Sequence, residues 1–518
     1  MDLNVIAALP VDVLLDIFRT SIRDIDAPST WPVLLSHVCR PWRDIIENTP
    51  TLWTVIRIDE QLDTNTIRFH NTLRCVEHFL HLSLELPLRI SAKIISFDFH
   101  SDAVDYKDPY LGNLCNFRDC IKFLSNMLGQ HASRIKALDI VCDEPDTLMN
   151  LQVGFHHMAM PQLERLSLYD TYDDQVFDEE GMEEIPAFPV LSRPQSFTGD
   201  AAAALYSALT TVRLSGIAID WTQFCATSLT SLEISNLAYD VRPSGTALRR
   251  ILSANSRLCQ LSLDGSLGQD TDANDWTQEP LVLSNVWKLD LGFCTAMELI
   301  PFLRVVQAPN LTSLSLRDIM RGSISISLNS DLLFDCDIPE LLELITERLP
   351  LDRLLKLTLR HIMFSPPVAT GDPSHNGSRY MPNSAQYPIH TAGFNFFSRM
   401  TSLLSLEMIN PDLVSLLTLN YIPIPSMCPQ NTRGAPTPMP TPSLAFLHLA
   451  DTPFSILYTF LRCRLWTYRS LHRLDTIMLS MPAGWYEKFG LDLSPLAREV
   501  QAFDIILCPE LGEMLAEL

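Results

Sequence analysis

Four basic side chains in the second half of the sequence are the residues best suited to bind a charged ligand. They are Lys288, Arg317, Lys356 and Arg360, and each lies beside an apolar residue of a short repeated pattern. Arginine binds phosphate or carboxylate through two parallel hydrogen bonds, and lysine binds them as a point charge. The four side chains therefore predict recognition of an acidic or phosphorylated segment, with the aromatic Phe446 further along the same face. The alternative is that these polar residues only keep the face hydrated.

The repeated pattern is a hexad with apolar residues at its first, fourth and sixth positions. It occurs eleven times between residues 135 and 479, for example at Leu311–Leu316 and Leu354–Leu359. Successive side chains of a strand point to opposite faces, so the fourth and sixth residues face inward and their neighbours face outward. The pairs expected to be buried are Leu166/Leu168, Leu232/Ile234, Leu261/Leu263, Leu289/Leu291, Leu314/Leu316 and Leu357/Leu359.

The spacing of the hexads indicates how the strands are arranged. Six of the ten successive distances lie between 20 and 30 residues, the spacing of leucine-rich repeats, and the other four are longer. One repeat cannot bury its own apolar edge, so repeats stack into a parallel sheet, with return segments such as 247–258 and 296–306 as helices. The predicted fold class is α/β, with an irregular leucine-rich-repeat solenoid whose parallel sheet forms the concave face. Loop insertions are expected near 170–200, 365–393 and 421–443.

The composition disfavours several classes of partner. The formal net charge is −23 and hydrophobic residues make up 47% of the chain. The apolar content excludes general disorder, and the negative charge disfavours nucleic acid and anionic membranes as main partners. No basic region followed by an apolar run opens the sequence, and no run of 18 apolar residues occurs. Twelve scattered cysteines predict free thiols in a reducing compartment, so a cytoplasmic or nuclear location is expected.

Motifs of catalysis and metal binding are absent from the sequence. It contains no glycine-rich phosphate loop, no dinucleotide-binding fingerprint, no zinc-protease motif and no nucleophile elbow. The histidine pairs His78/His81 and His156/His157 are the closest to metal-like spacing, and the first pair lies in an apolar stretch without cysteine or acid at supporting distances. We therefore expect no catalytic residue, no metal and no cofactor.

The first sixty residues differ from the rest of the chain. From Pro10 onward, Val13, Leu14, Ile17 and Phe18 recur at the spacing of one helix face. A second helical stretch follows residues 29–30, and a third begins near residue 41. Three short helices in about sixty residues bury little apolar surface, so such a module is expected to need a neighbour or a partner.

These helices carry a specific residue pattern. It comprises Leu9-Pro10-x-Asp12-x-Leu14-x-x-Ile17-Phe18, then Val38-Cys39-Arg40-x-Trp42-Arg43, then Leu52-Trp53. The pattern resembles an F-box, most closely the F-box-like domains that are abundant in mushroom-forming fungi. Two features depart from that family: Asp12 stands where glutamate is more frequent, and the connection from Thr20 to Ser29 is long.

The resemblance implies a partner and a role. An F-box binds a Skp1-type adaptor, which joins it to a cullin and a RING subunit, and the rest of the chain then presents a target for ubiquitin transfer. Phe18, Ile45 and Trp53 are expected to pack internally. By position in the pattern, the residues expected to face the adaptor are Leu9, Pro10, Leu14, Ile17, Val38, Cys39 and Trp42.

The sequence thus predicts three regions and two competing functions. The regions are an F-box-like domain at 1–59, a linker with the first sheet elements at 60–134, and the degenerate repeat domain at 135–518. Within the linker, His78–Ile95 resembles an early strand pair. The first function is that of a non-catalytic substrate receptor in a Skp1–cullin–F-box ubiquitin ligase. The alternative is an F-box and repeat scaffold or small-ligand sensor outside a cullin ligase.

Overall fold

The computed structural model describes much of both halves of the chain. The described residues are 9–23, 30–62, 66–96, 117–143, 145–155, 158–171, 206–268, 276, 279–322, 338–362, 364, 389–411, 413–419, 441–450, 452, 474–482 and 502–508. Of the three expected insertions, residues 172–200, 365–388 and 421–440 lie outside the described residues.

The chain divides into two compact units, Met1–Arg242 and Pro243–Leu518. The boundary expected at residue 59 falls inside a strand, Val55–Leu62, which pairs in parallel with Leu88–Ser96. The segment between the first helices and the hexads therefore supplies strands to the sheet of the first unit.

Three short helices open the first unit: α1 (Val11–Arg23), α2 (Trp31–Ser36) and α3 (Arg40–Glu47). Proline lies in the first turn of both α2 and α3, where its missing N–H removes no helical hydrogen bond. The three helices correspond to the three helical stretches expected from the sequence.

A small aromatic core holds these helices together. The Phe18 ring of α1 packs edge-on against the Trp42 ring of α3, with centroids 4.9 Å apart. Trp53 is buried, its Nε1 donates to the Ile46 carbonyl oxygen at 2.9 Å, and its ring meets Phe79 at 4.9 Å. The internal packing expected for Phe18 and Trp53 is confirmed. Because Phe79 lies beyond the opening helices, their core continues into the rest of the first unit.

Parallel strands and intervening helices build the remainder of the first unit. The described strands pair in chain order as β1 (Val55–Leu62), β2 (Leu88–Ser96), β3 (Ile135–Cys142), β4 (Arg165–Asp170), β5 (Thr211–Ser215) and β6 (Ser231–Ser235). The helices among them are α4 (Thr66–Leu82), α5 (Phe117–Gly129) and α6 (Pro145–Phe155).

The strand pair expected in His78–Ile95 is wrong. Residues up to Leu82 belong to α4, Leu84 takes a positive φ of 50°, and a single strand begins at Leu88. The alternating leucines of this segment satisfied the period of a strand, but the apolar residues of α4 also recur at helical spacing. Packing of α4 against β1 and against the 3-10 turn at Pro50–Trp53 favours the helix over the strand.

The second unit repeats the parallel arrangement. Its main sheet runs in the order β7 (Gln260–Asp264), β9 (Lys288–Phe293), β11 (Ser313–Asp318), β12 (Lys356–Arg360), β13 (Ser405–Ile409), β14 (Phe446–Ala450), β15 (Thr476–Pro482) and β16 (Ala502–Cys508). Two short strands, β8 (Leu281–Val282) and β10 (Val306–Gln307), pair with each other. The structure is thus of mixed α/β class with a large parallel sheet.

Helices alternate with these strands. They are α7 (Gly245–Ala254), α8 (Ala296–Val305), α9 (Ile319–Gly322), α10 (Ile338–Arg348), α11 (Ile389–Arg399) and α12 (Leu413–Leu419). The helices expected at 247–258 and 296–306 are confirmed as α7 and α8. At the start of α7 the Ser244 hydroxyl accepts from the Ala247 N–H, which satisfies one of the open donors of that end. None of the described helices is long and apolar enough to cross a membrane.

The hexads form strands, and their apolar pairs form the core. Leu289, Leu314 and Leu357 occupy the same register position on β9, β11 and β12. All six pairs expected to be buried are buried. A leucine removed from water in this way contributes about 1.5–3 kcal/mol, so stacked pairs of neighbouring strands are a large source of stability.

Candidate functional site

The N-terminal helices expose apolar side chains that a solvated surface does not require. Ile17 is 49% exposed and Val38 is 56% exposed. We call the following residues the N-terminal apolar surface: Pro10, Val11, Val13, Ile17, Leu34, Val38 and Cys39, all of which are exposed. These seven exposed apolar residues are available to contact another protein.

The residues expected to contact an adaptor do not all share this surface. Pro10, Ile17, Val38 and Cys39 are exposed as expected, whereas Leu9 and Trp42 are partly buried. Leu14 is only 5% exposed, so it lies in the core of the opening helices and offers little surface to a partner.

Helical geometry explains the position of Leu14. Leu14, Phe18 and Ile22 are buried and follow one another at four-residue spacing, so they form one face of α1. Val13 and Ile17, expected on that same face, are exposed instead. The exposed Val11, Val13 and Leu34 were missed as surface residues, because the apolar pattern of one helix does not show which part of its apolar arc faces inward.

A second surface lies on the sheet of the second unit. There a cleft of about 230 Å³ opens over β7, β9, β11, β12 and β13. We call it the cationic cleft, and its lining residues are Ser262, Asp264, Lys288, Asp290, Leu291, Gly292, Ser313, Ser315, Arg317, Lys356, Thr358, Arg360 and Glu407. The four basic residues expected to act together are thus brought to one site.

Strand register places the charges of the cleft in three rows. Lys288, Ser313 and Lys356 align in the first row, and Asp290, Ser315 and Thr358 align in the second. In the third row Asp264, Gly292, Arg317 and Arg360 follow one another on β7, β9, β11 and β12. The rows exist because the strands are parallel and in register, so equivalent outward positions of each hexad become neighbours.

Two of the four cations are already paired. Lys288 Nζ lies 2.8 Å from Asp290 Oδ2, and Arg317 Nη1 donates to Asp264 Oδ2 at 3.0 Å. Lys356 and Arg360 are exposed and, among the described residues, have no carboxylate within 4.0 Å. With Glu407 as the third acid in the lining, the cleft carries four cationic and three anionic side chains.

Gly292 makes the Arg317–Asp264 ion pair possible. The two partners sit on β11 and β7, with β9 between them, so the arginine side chain must cross over Gly292. A Cβ at this position would overlap the Asp264 carboxylate. Asp264 Oδ1 is buried without a hydrogen-bond partner, and burial raises the pKa of Asp264 even though Arg317 opposes the shift. The neighbouring His361 has a lowered pKa because of burial and then of Arg317 and Arg360.

Glu407 closes the far side of the cleft and is held in its charged form. His448, whose Nδ1 lies 3.6 Å from Glu407 Oε1, lowers the pKa of Glu407 from 4.5 to about 2, against the opposing effect of burial. Arg360 and the Thr358 hydroxyl, which donates to Glu407 Oε2 at 3.2 Å, act in the same direction. His448 in turn contacts the Ser480 hydroxyl at 2.9 Å. Glu407 is therefore part of a group of polar contacts that runs from β12 to β15.

Glu407→Gln should change the acid stability of the second unit. A carboxyl whose pKa is depressed on folding stabilises the protein above its unfolded pKa, here 4.5, and loses that contribution as the pH falls towards 2. We expect the variant to be about 1 kcal/mol less stable than the parent at pH 6, with the difference shrinking by pH 3.5. Urea unfolding at both pH values measures this.

The matched control is Glu340→Gln, at an exposed glutamate of α10. The raised pKa of Asp264 affects acid stability with the opposite sign, but the parent and both variants carry Asp264 equally. A stability difference for Glu407→Gln that stays constant from pH 6 to pH 3.5 would contradict the assigned interaction.

Phe446 does not line the cleft. It is partly buried on β14 and aligns with Ser405 of β13, which in turn aligns with Lys356 of β12. Two strand spacings of about 4.8 Å therefore separate Phe446 from Lys356. It belongs to the same face but to a position beside the site.

The described residues offer no metal site. Within the described ranges, no three or more His, Cys, Asp or Glu side chains are grouped so that they could hold an ion. His78 packs edge-on against Trp53 at 5.3 Å. Cys120 is buried, and burial followed by Asp119 raises the pKa of its thiol to about 11. Such a thiol is a poor nucleophile at neutral pH.

No family model matches the chain, and a search of the curated proteins gives no match.

Proposed function

We propose that the chain is a substrate-recognition subunit of a Skp1–cullin–F-box ubiquitin ligase. In this role the N-terminal apolar surface binds a Skp1-type adaptor, and the sheet face of the second unit binds the target protein. The chain itself is non-catalytic and works in the cytoplasm or nucleus. The observation that carries the proposal is the N-terminal apolar surface, which lies on helices whose sequence resembles an F-box.

The burial pattern of the helices supports an adaptor interface. Their core is small, and Phe18, Ile46 and Trp53 already fill it. Ile17 and Val38, by contrast, remain exposed. A few large apolar anchors dominate the binding energy of most protein interfaces, and these side chains have the type and exposure of such anchors.

The in-register strands support the second half of the proposal. A leucine-rich-repeat solenoid presents one outward row of side chains per hexad position, and the rows around Lys356 and Arg360 have this arrangement. Lys288, Arg317, Lys356, Arg360 and Phe446 are the proposed target-binding residues. A target recognised there would contribute acidic or phosphorylated groups.

Reconstitution with purified subunits tests the proposal. The full chain, co-expressed with a Skp1-type adaptor, should elute with it as one complex on size-exclusion chromatography and then recruit a cullin with its RING subunit. A chain that keeps the adaptor but does not recruit the cullin would instead be the F-box scaffold or small-ligand sensor. Failure to retain the adaptor would overturn both functions.

A further inference from the structure

We propose that the cationic cleft binds the phosphate of a phosphorylated serine or threonine in an extended segment of a partner protein, with Arg360 and Lys356 as its principal ligands. The inference rests on the proposed function only in taking the partner to be the target of the ligase. It assigns different roles to the four basic residues, which the sequence alone did not distinguish.

Arg360 and Lys356 are the cations available to a ligand. Arg317 is fixed by Asp264 across Gly292, and Lys288 is held by Asp290 on its own strand. Arg317 therefore positions the site, while its remaining N–H groups can assist in binding. Arg360 lies directly beside Arg317 in the parallel register, and like charges on neighbouring strands repel one another. An anion bound between the two guanidinium groups removes that repulsion.

The rest of the lining fits a phosphate ester better than a nonpolar ligand. The hydroxyl groups of Ser313 and Ser315 line the cleft between the cations, and each can donate to a phosphate oxygen, whereas the Thr358 hydroxyl already donates to Glu407. With every charged side chain of the cleft ionised, the lining keeps one net positive charge, although the chain as a whole carries −23. A phosphate carries about −1.5 to −2 at pH 7 and offers three strong acceptor oxygens, so it matches this lining better than a carboxylate does.

Exposed apolar residues at the end of the sheet where the cleft strands begin indicate that the phosphate belongs to a peptide. Leu355 and Leu404 immediately precede β12 and β13 and are 43% and 48% exposed. The Leu404 N–H donates to the Leu355 carbonyl oxygen at 2.9 Å, so the two leucines are neighbours. Trp287, also exposed, precedes β9 in the same way. Leu355 is adjacent to Lys356 in the chain, and Leu404 and Trp287 precede β13 and β9 at equivalent positions, so exposed apolar residues lie at the end of the sheet where these strands begin and can pack against residues that flank a phosphorylated side chain.

Fluorescence anisotropy with the full chain tests this inference. The probe is a short labelled peptide with one phosphoserine flanked by leucines. Its comparisons are the unphosphorylated peptide, the same phosphopeptide with alanine flanks, and inorganic phosphate as competitor. We expect saturable binding of the leucine-flanked phosphopeptide, no binding of the unphosphorylated one, and weaker binding with alanine flanks.

Variants assign the residues. Arg360→Gln should raise the Kd of the phosphopeptide at least tenfold, because a hydrogen bond to a charged group is lost, and Lys356→Gln should raise it several-fold. Arg304→Gln removes the same charge from an exposed residue of α8 that pairs with Glu340 at 3.1 Å, and should change the Kd less than about twofold. Because Arg360 is exposed and is close both to the like charge of Arg317 and to the opposite charge of Glu407, its replacement should change the unfolding midpoint little.

Besides the absence of binding, three results would overturn the inference. They are equal binding of the unphosphorylated peptide, an equal effect of Arg360→Gln and Arg304→Gln, and inorganic phosphate that competes as strongly as the peptide, which would assign the cleft to a free phosphate. Adaptor binding is measured in parallel on Arg360→Gln. If the parent chain binds the adaptor but not the phosphopeptide, only this inference is overturned. If it binds the phosphopeptide but does not bind the adaptor, the proposed function is overturned.

Discussion

The double substitution Ile17→Asp/Val38→Asp is expected to weaken binding of the proposed Skp1-type adaptor by at least a hundredfold. Both side chains are about half exposed in the free chain, so the native fold does not depend on their burial. Burying one large apolar side chain contributes about 1.5–3 kcal/mol, and every 1.4 kcal/mol is a tenfold change in Kd. Each aspartate adds the cost of placing an unpaired charge in the interface. Surface plasmon resonance with immobilised adaptor measures the loss.

The control for this prediction is Met158→Asp. Met158 is an exposed apolar residue of the same unit but lies between α6 and β4, away from the opening helices in the sequence. This variant should bind the adaptor like the parent chain. Circular dichroism should show the same helix content for all three proteins, since only exposed positions change. Parent-like affinity of the double variant would show that the adaptor binds elsewhere on the chain.

For the opening helices, the sequence predicted the positions of the helices better than it predicted which helix faces are buried. The prolines and the recurrence of apolar residues were enough to place three helices. The pattern did not separate Leu14, which is buried, from Ile17, which is exposed. Both are apolar, and both fall within the broad apolar arc of α1. Which part of that arc faces inward is decided by α2, α3 and the turn that carries Trp53, through contacts that a single helix pattern does not contain.

For the cationic cleft, alternation along each strand predicted which residues point outward. The register between strands determines which of these residues form ion pairs. The outward positions of Lys288, Arg317, Lys356 and Arg360 followed from the hexads alone. That Arg317 is neutralised by Asp264 depends on the two being in one row and on Gly292 leaving room between them. The role of Gly292 could not be predicted from the sequence, because it depends on β7, β9 and β11 lying side by side.

Arg134 shows how a charged residue can join elements that are far apart in the sequence. It follows helix α5 by a few residues and is 4% exposed. Its guanidinium donates to the Leu80 carbonyl oxygen, the Leu86 carbonyl oxygen and the Ser83 hydroxyl, each at 3.0 Å. Leu80 lies in the last turn of α4, where carbonyl groups lack helical partners and the helix dipole favours a cation. Arg134 thus caps α4 and fixes the turn into β2.

Arg134→Met is therefore expected to destabilise the first unit by about 3–5 kcal/mol, because it leaves several buried acceptors without a donor. Hydrogen–deuterium exchange of peptides from α4 and β2 should accelerate by roughly two to three orders of magnitude, while peptides from β12 in the second unit keep their protection. Arg134→Lys retains the charge but cannot span three acceptors with a planar group, so its effect should be intermediate. Arg304→Met, at an exposed ion pair, should cost at most about 1 kcal/mol. Unchanged exchange in α4 of the Arg134→Met protein would mean that water or relaxed side chains satisfy these acceptors, and that the arginine is not what holds the turn.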